Sequence, residues 1–478
     1  MSVNPAPSPR ICIVGGGLSG LTAASKLQRL LPNASISIYE AGARVGGVIH
    51  SERIGTFLVD HGADMFATNP PGALKLCEEL GVSQDLILPT DEGQGAKIVR
   101  NGELLPLPEG FVLMRATQLI PMLRTPLLSL RGKIRFLLER WIPARKGERG
   151  AEDESISQFV ERRMGKEMLD RIVAPLAAGI YTADINRLSM RATMGPIAKM
   201  EATYGSLAKA TAARRKSGQD SVERNSTGAR YSQFRAFPGG MVQLIDALVA
   251  DLPEDCIQLN SAVTGFKACG AGGWELAVSQ QVVTCDEIIL ATPPRISSNL
   301  LKDQCPIAAN ILTDIEASSV AIVVLGVQRS QIKNPANCFG FVVPLTEKRK
   351  ILACSFASAK FSGRAKEDEV LIRVFVGGAM QSELLDESDK VLIDLVRVEL
   401  SELIGLTGEP SLEKVIRWDN AMPQYHVGHQ ERIKRLEKEI DQIDNLTMVS
   451  NPFHGVGIAP LIGQAEKAAE SIAKRYNV

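Results

Sequence analysis

Apolar positions along this chain follow two rhythms. Ile11, Ile13 and Val14 form a short apolar run suited to a strand buried on both faces. Leu21, Ala24, Leu27 and Leu30 then recur at helical spacing, and Ser35–Tyr39 returns to a strand pattern. Pro71–Leu80 reads as a helix closed by Gly81, and Ala96–Pro108 as a hairpin turning at Asn101-Gly102. Ile156–Met164 and Lys166–Ile172 are predicted helices. Strands are expected over Cys256–Leu259, Ala262–Lys267, Trp274–Ser279 and Asp286–Leu290. Val320–Gln328, Cys338–Pro344, Leu352–Phe356 and Val370–Gly377 suggest an antiparallel sheet, followed by a helix over Val391–Ile404. A last strand, Leu446–Ser450, leads into a final helix.

The junction between the first strand and the first helix carries chemistry. Gly15, Gly17 and Gly20 stand at G-x-G-x-x-G spacing, with Gly16, Leu18 and Ser19 between them. In such a loop the first glycine allows a tight turn, the second lets a pyrophosphate touch backbone, and the third lets helix and strand pack closely. The helix aims its N-terminal N–H groups at the phosphates. Glu40, followed by Ala41, ends the second strand where a ribose-binding carboxylate is expected. Strand, glycines, helix and acid together predict dinucleotide binding, but the glycines do not separate NAD from FAD.

Lys+Arg 54 balances Asp+Glu 54, so no global field favours nucleic acid. Eight cysteines without a C-x-x-C pair argue against zinc and against a disulfide framework, and fit a reducing cytoplasm. No metal is expected: His426 and His429 lack a third ligand nearby. No run of about 18 apolar residues predicts a spanning helix. Met1–Pro9 is proline-rich and is not read as a signal peptide. Phe111–Arg149 differs in being both apolar and basic. There Leu130, Ile134, Leu137 and Trp141 share one helical face, a pattern that describes a helix lying on an anionic bilayer or one packed on its own domain. Ala208–Arg235 is polar and reads as a solvated linker.

Several strings carry a family resemblance. E-A-G-A-R-V-G-G, from Glu40 to Gly47, resembles the continuation found in the FAD-dependent amine oxidase superfamily; a surface turn with a solvated arginine is the alternative. Phe57–Phe66, G-I-Y-T-A-D-I-N-R-L-S from Gly179 to Ser189, and W-D-N-A-M-P-Q-Y-H-V-G-H from Trp418 to His429 resemble the oxygen-dependent porphyrinogen oxidases within it. The resemblance covers nearly the whole chain. It implies a mixed α/β and α+β protein: a Rossmann-like FAD-binding domain (1–92, 236–303 and 417–478), an antiparallel-sheet substrate domain (93–113 and 304–416), a helical, membrane-facing insert (114–207) and the linker 208–235.

It also implies site residues. Arg44, Gly47, Val48, Gly62, Ala63, Asp64, Met65, Val263, Val456, Gly457 and Ile458 would join Gly15–Gly20, Glu40 and Ala41 around FAD. The FAD would be non-covalent, since no cysteine follows Cys354. Phe339, Gly340, Val342 and Phe375 would wall the tetrapyrrole. Lys97 or Arg100 would hold a propionate, although the arginine is displaced from its usual place and a solvated basic hairpin fits as well. The implied reaction is flavin-dependent aromatisation of protoporphyrinogen IX, or of coproporphyrinogen III, with oxygen as acceptor and hydrogen peroxide formed. No catalytic side chain is expected, because product conjugation drives the reaction. Peripheral contact with the cytoplasmic membrane and a homodimer stay open. So do two rival classes: an amine oxidase or carotenoid desaturase on the same scaffold, and a non-enzymatic relative such as a guanine nucleotide dissociation inhibitor.

Overall fold

The computed structural model describes residues 8–91, 95–112, 114–145, 152–217, 231–270, 272–334 and 337–476. Most of the proline-rich start, the basic residues Lys146 and Arg149, and the middle of the expected linker lie outside them. Arg10–Val14 is the central strand of a parallel five-stranded sheet, flanked by Ser35–Tyr39 and Glu287–Leu290, with Ile257–Gln258 and Leu446–Met448 outside them. Parallel strands need cover on both faces. One core, with Ile11, Ile13, Leu21, Leu27 and Ile38, receives the helices Leu18–Leu30, Val242–Ala250 and Ile458–Tyr476. The other, with Cys12, Val14, Leu276 and Leu290, receives the antiparallel strands Val263–Cys269, Gly273–Val278 and Gln281–Cys285.

A seven-stranded sheet forms the second body, in the order Leu412–Pro423, Ala317–Gln328, Glu369–Gly377, Ala353–Phe356, Gly340–Val342, Ala96–Arg100, Glu103–Pro106. It is antiparallel as expected except at one joint, where Gly340–Val342 runs parallel to Ala96–Arg100. The Asn101-Gly102 turn is as predicted, with φ of 51° and 77° at the two residues. The edge strand Leu412–Pro423 was not foreseen, and the expected domain boundary at 417 falls inside it.

The third region is helical, around a core that includes Phe111, Met122, Phe159, Ile172, Met194 and Tyr425. Here the expected linker is corrected: its first part is the helix Leu207–Lys216, capped by the Ser206 side chain, with Leu207 and Ala210 buried. Small apolar residues at helical spacing outweighed the polar composition. The expected helix across Leu130–Trp141 is also shorter, an α-helix over Leu130–Leu137 followed by a 3-10 turn over Leu138–Trp141. Gly132, whose absent Cβ would stand 2.5 Å from Glu167 Oε2, lets this helix approach the domain. Arg135 donates to the carbonyls of Arg162 and Arg163, at 2.7 and 2.9 Å. Its apolar face points outward: Leu130 is 74% and Trp141 71% exposed.

Candidate functional site

The site is built in two halves. In the first, Gly15 takes a φ of +108° and Gly20 lies so close beneath it that an added Cβ would stand 2.0 Å from the Gly15 carbonyl oxygen. Gly17 differs: an added Cβ would meet nothing within 4 Å. The second glycine is therefore not demanded by the protein's own packing, as expected of a cradle for a pyrophosphate. The Glu40 carboxylate accepts from Gly16 N (2.8 Å) and Gly42 N (2.7 Å), tying the second strand's end to the glycine loop. Gly46 N donates to Gly16 O at 2.8 Å, and Arg44 closes its own loop on the carbonyls of Val45 and Gly47. The segment before Val263 abuts the same acid, with Ser261 N on Glu40 O and Asn260 N on Gly42 O. Gly15–Gly20, Glu40, Ala41, Arg44 and Gly47 thus converge, with Val263 two residues beyond the Asn260–Ser261 contacts. The residues present fit a dinucleotide.

The second half is assembled from distant segments. Gly62 lies under Val48, its absent Cβ 2.2 Å from the Val48 carbonyl oxygen. Val456 packs on the helical core, while Ile458 packs on the nucleotide-side core, so Val456–Ile458 lie where two bodies meet. What holds that loop is the Trp418–His429 string. Tyr425 Oη donates to Asn451 O and accepts from Gly455 N at 3.1 Å. His429 stacks on Tyr425, with centroids 4.1 Å apart, and its Nε2 donates to Pro452 O at 2.7 Å. Burial pushes His429 down to about 4, so it is neutral here. The second diagnostic string meets the first: Ser189 N donates to Tyr425 O (2.7 Å), Val427 N to Arg187 O (2.8 Å), and Gln424 Nε2 to Tyr181 O (3.3 Å). Asp153 receives both the Ser189 hydroxyl and Gly428 N.

Opposite lies one face of the large sheet. Directly paired residues share a face, and the row Val342–Ala353–Phe375–Ile322–Ile416 runs across it. Gly340, Ser355 and Arg373 form the adjoining row on the same face. Val342 packs on the helical core, while Phe375 joins a separate cluster with Phe57, Val59 and Trp418. Of the expected anchors, Arg100 donates to Leu127 O at 2.9 Å beside Arg171, in a cleft of about 440 Å³. Lys97 is half-buried on the same strand and does not line that cleft.

Sequence reasoning missed a buried charge cluster behind the Gly62–Met65 loop. Lys360 Nζ and Arg373 Nη1 both lie 2.9 Å from Asp64 Oδ2. Arg373 Nη2 donates to Gly62 O at 2.5 Å, and Lys360 Nζ stands 4.0 Å from the centre of the Phe339 ring. Arg364 pairs with Asp60 at 3.3 Å, and Asp60 also receives Ser51 Oγ and Met241 N. Burial alone would raise the Asp64 carboxyl, but Lys360 and Arg373 outweigh it and hold it well below the usual carboxylate range. Burial draws Lys360 down, and Asp64 opposes this. The sequence did hold a signal: Arg373 interrupts the apolar strand V-L-I-R-V-F-V, where a charge must have a buried partner.

Comparison with known proteins now decides the family. A model described as "Flavin containing amine oxidoreductase" matches residues 18–472. The chain belongs to that family. It is an FAD-dependent oxidoreductase. It is 30% identical over 472 residues to the coproporphyrinogen III oxidase of Bacillus subtilis (strain 168), covering 98% of each chain. It is 27% identical to protoporphyrinogen oxidase 2 of Arabidopsis thaliana, covering 97% of this chain and 93% of that one. A solved chain from Exiguobacterium sp. 255-15, assigned to protoporphyrinogen oxidase, superposes with a TM-score of 0.85 at 27% identity, covering 98% of this chain and 100% of that one. Among the described residues no helix is long and apolar enough to cross a membrane.

Proposed function

We propose that this oxidoreductase aromatises a porphyrinogen, protoporphyrinogen IX first, with oxygen as the final acceptor. One observation carries the reading: the two strings that resemble porphyrinogen oxidases hydrogen-bond to each other and together hold the loop that ends in Val456–Ile458. Glycine loop, Glu40 and Arg44 would hold the nucleotide of FAD; Gly62–Met65 and Val456–Ile458 would border its ring. The bound flavin supplies hydride acceptance and reoxidation by oxygen. The protein's share is to orient a flat substrate and exclude water. The half-buried Val342 and Phe375 on one sheet face suit an apolar macrocycle. Coproporphyrinogen III is the second reading, favoured by the 30% identity with the Bacillus subtilis enzyme of that name.

Mixing the holoenzyme anaerobically with each porphyrinogen tests this. Bleaching of the flavin absorbance is expected with protoporphyrinogen IX, and peroxide on readmitting air. Faster bleaching by coproporphyrinogen III would reverse the order of substrates, and no bleaching by either would end the proposal.

The outward strip of Leu119, Ile120, Leu130, Ile134 and Trp141, edged by Arg124, Arg131, Lys133 and Arg140, supports seating on an anionic bilayer surface.

A further inference from the structure

The buried cluster behind the Gly62–Met65 loop does not balance. Three cations, Lys360, Arg364 and Arg373, face two carboxylates, Asp60 and Asp64. All five side chains are nearly inaccessible to water. The surplus sits at Asp64: its Oδ2 is shared by Lys360 and Arg373, while Arg364 has Asp60. Backbone carbonyls accept from Arg364 Nη1 (Phe237 O) and Arg373 Nη2 (Gly62 O), but Nε of both arginines is buried without a hydrogen-bond partner among the described residues, so neighbouring dipoles offset the excess only in part. Retaining a buried, unneutralised charge is costly. A purely mechanical joint between sheet and loop needs only balanced pairs, and an apolar joint would serve as well.

We propose that Lys360 is a positioning residue for the flavin's charge: it leaves one net positive charge buried behind the Gly62–Met65 loop, and this field favours the reduced flavin. The inference rests on the reading that this loop borders the flavin ring. Taking up a hydride brings two electrons and one proton, so the flavin gains one negative charge in the step. A fixed positive charge in a site screened from water stabilises the product of that step more than its reactant. The Lys360 ammonium is held by Asp64 and lies over the Phe339 ring, so Lys360 would act through its field.

The measurement is the flavin midpoint potential of purified holoenzyme, by dye equilibration, alongside FAD content. Lys360→Met makes the cluster neutral. It should shift the oxidised-to-reduced ratio about tenfold toward oxidised at a fixed potential, which is about 30 mV lower for a two-electron couple. Lys360→Arg should keep the wild-type potential. Asp64→Asn adds to the surplus and should raise it. In the double variant Asp64→Asn/Lys360→Met, both partners of the ion pair are gone but the net charge is again +1, so the potential should return toward wild type. A joint that serves only structure would give a double variant at least as disturbed as either single one. An unchanged potential in Lys360→Met with full FAD content overturns the proposal. If Lys360→Met does not fold, a potential in Asp64→Asn at or below wild type overturns it. Wild-type protein that takes up no FAD would instead overturn the functional reading beneath it.

Discussion

The two halves of the site are made in different ways. The proposed nucleotide cradle comes mainly from one stretch, Arg10 to Gly47, whose contacts are short in sequence: Gly16 with Glu40, Gly16 with Gly46, Gly15 with Gly20. The ring end has no such stretch. It needs Val48 over Gly62, Arg373 on Gly62 O, and Tyr425 on Gly455, and the Tyr425 segment is itself held by Ser189 and Asp153. Local geometry can be specified by glycine spacing; an assembly of distant segments must be specified by buried hydrogen bonds and charges. The first half should therefore fail through single backbone positions, and the second through loss of side-chain partners.

The largest effect is expected at Gly20. Gly20→Ala drives a methyl into the Gly15 carbonyl and should cost about 3 kcal/mol, seen as a lower urea midpoint in protein with or without FAD. Gly17→Val should separate folding from binding. A Cβ at this position meets no protein atom within 4 Å, so far-UV circular dichroism should stay native while the yellow colour is lost. A yellow Gly17→Val protein would break the assignment of the cradle.

At the other half, acid should act through His429. Its folded value of about 4 lies below the unfolded value of about 6.5, so the unfolded chain takes up the proton first. The contribution is present in full above about pH 6.5 and is lost as pH falls toward 4, on the order of 3 kcal/mol. Urea midpoints against pH should show this slope, and His429→Gln should flatten it. Tyr425→Phe removes one hydroxyl that both donates and accepts. About 1 to 2 kcal/mol of stability should go, with slower flavin reduction but a nucleotide cradle that still binds ADP. The smallest effect on the fold should come from Leu130→Glu/Trp141→Glu. Sedimentation with anionic vesicles should fall while thermal stability moves by less than about 1 kcal/mol.

Much of the cradle could be read in advance, because its signal is local. The strand, the glycines, the helix and Glu40 follow one another, and Gly15, Gly20 and Glu40 each answer a neighbour's geometry. Four strands of the large sheet were also foreseen, through their apolar runs, and the Ala96–Pro108 hairpin as a hairpin, but not its parallel joining to the sheet nor Leu412–Pro423. That strand carries Glu413, Lys414, Arg417 and Asp419, and its alternation is blurred because it lies at the sheet's edge. Leu207–Lys216 was missed since four basic residues hid a short buried stripe.

By itself, then, the order of residues determined that a dinucleotide is expected, which glycine loop would hold its phosphates, and which family the chain resembles. Only the tertiary structure decided what the diagnostic strings do. It showed that Tyr425 and His429 clamp the short helical turn Asn451–His454 and Gly455 after it, that the Leu130–Trp141 strip faces outward, and that Lys360, Arg364 and Arg373 gather around Asp60 and Asp64. The physical reason is range. Backbone torsion and periodicity act over a few residues and leave a mark in spacing, whereas a charge pair 296 positions apart, as between Asp64 and Lys360, exists only after the chain has folded.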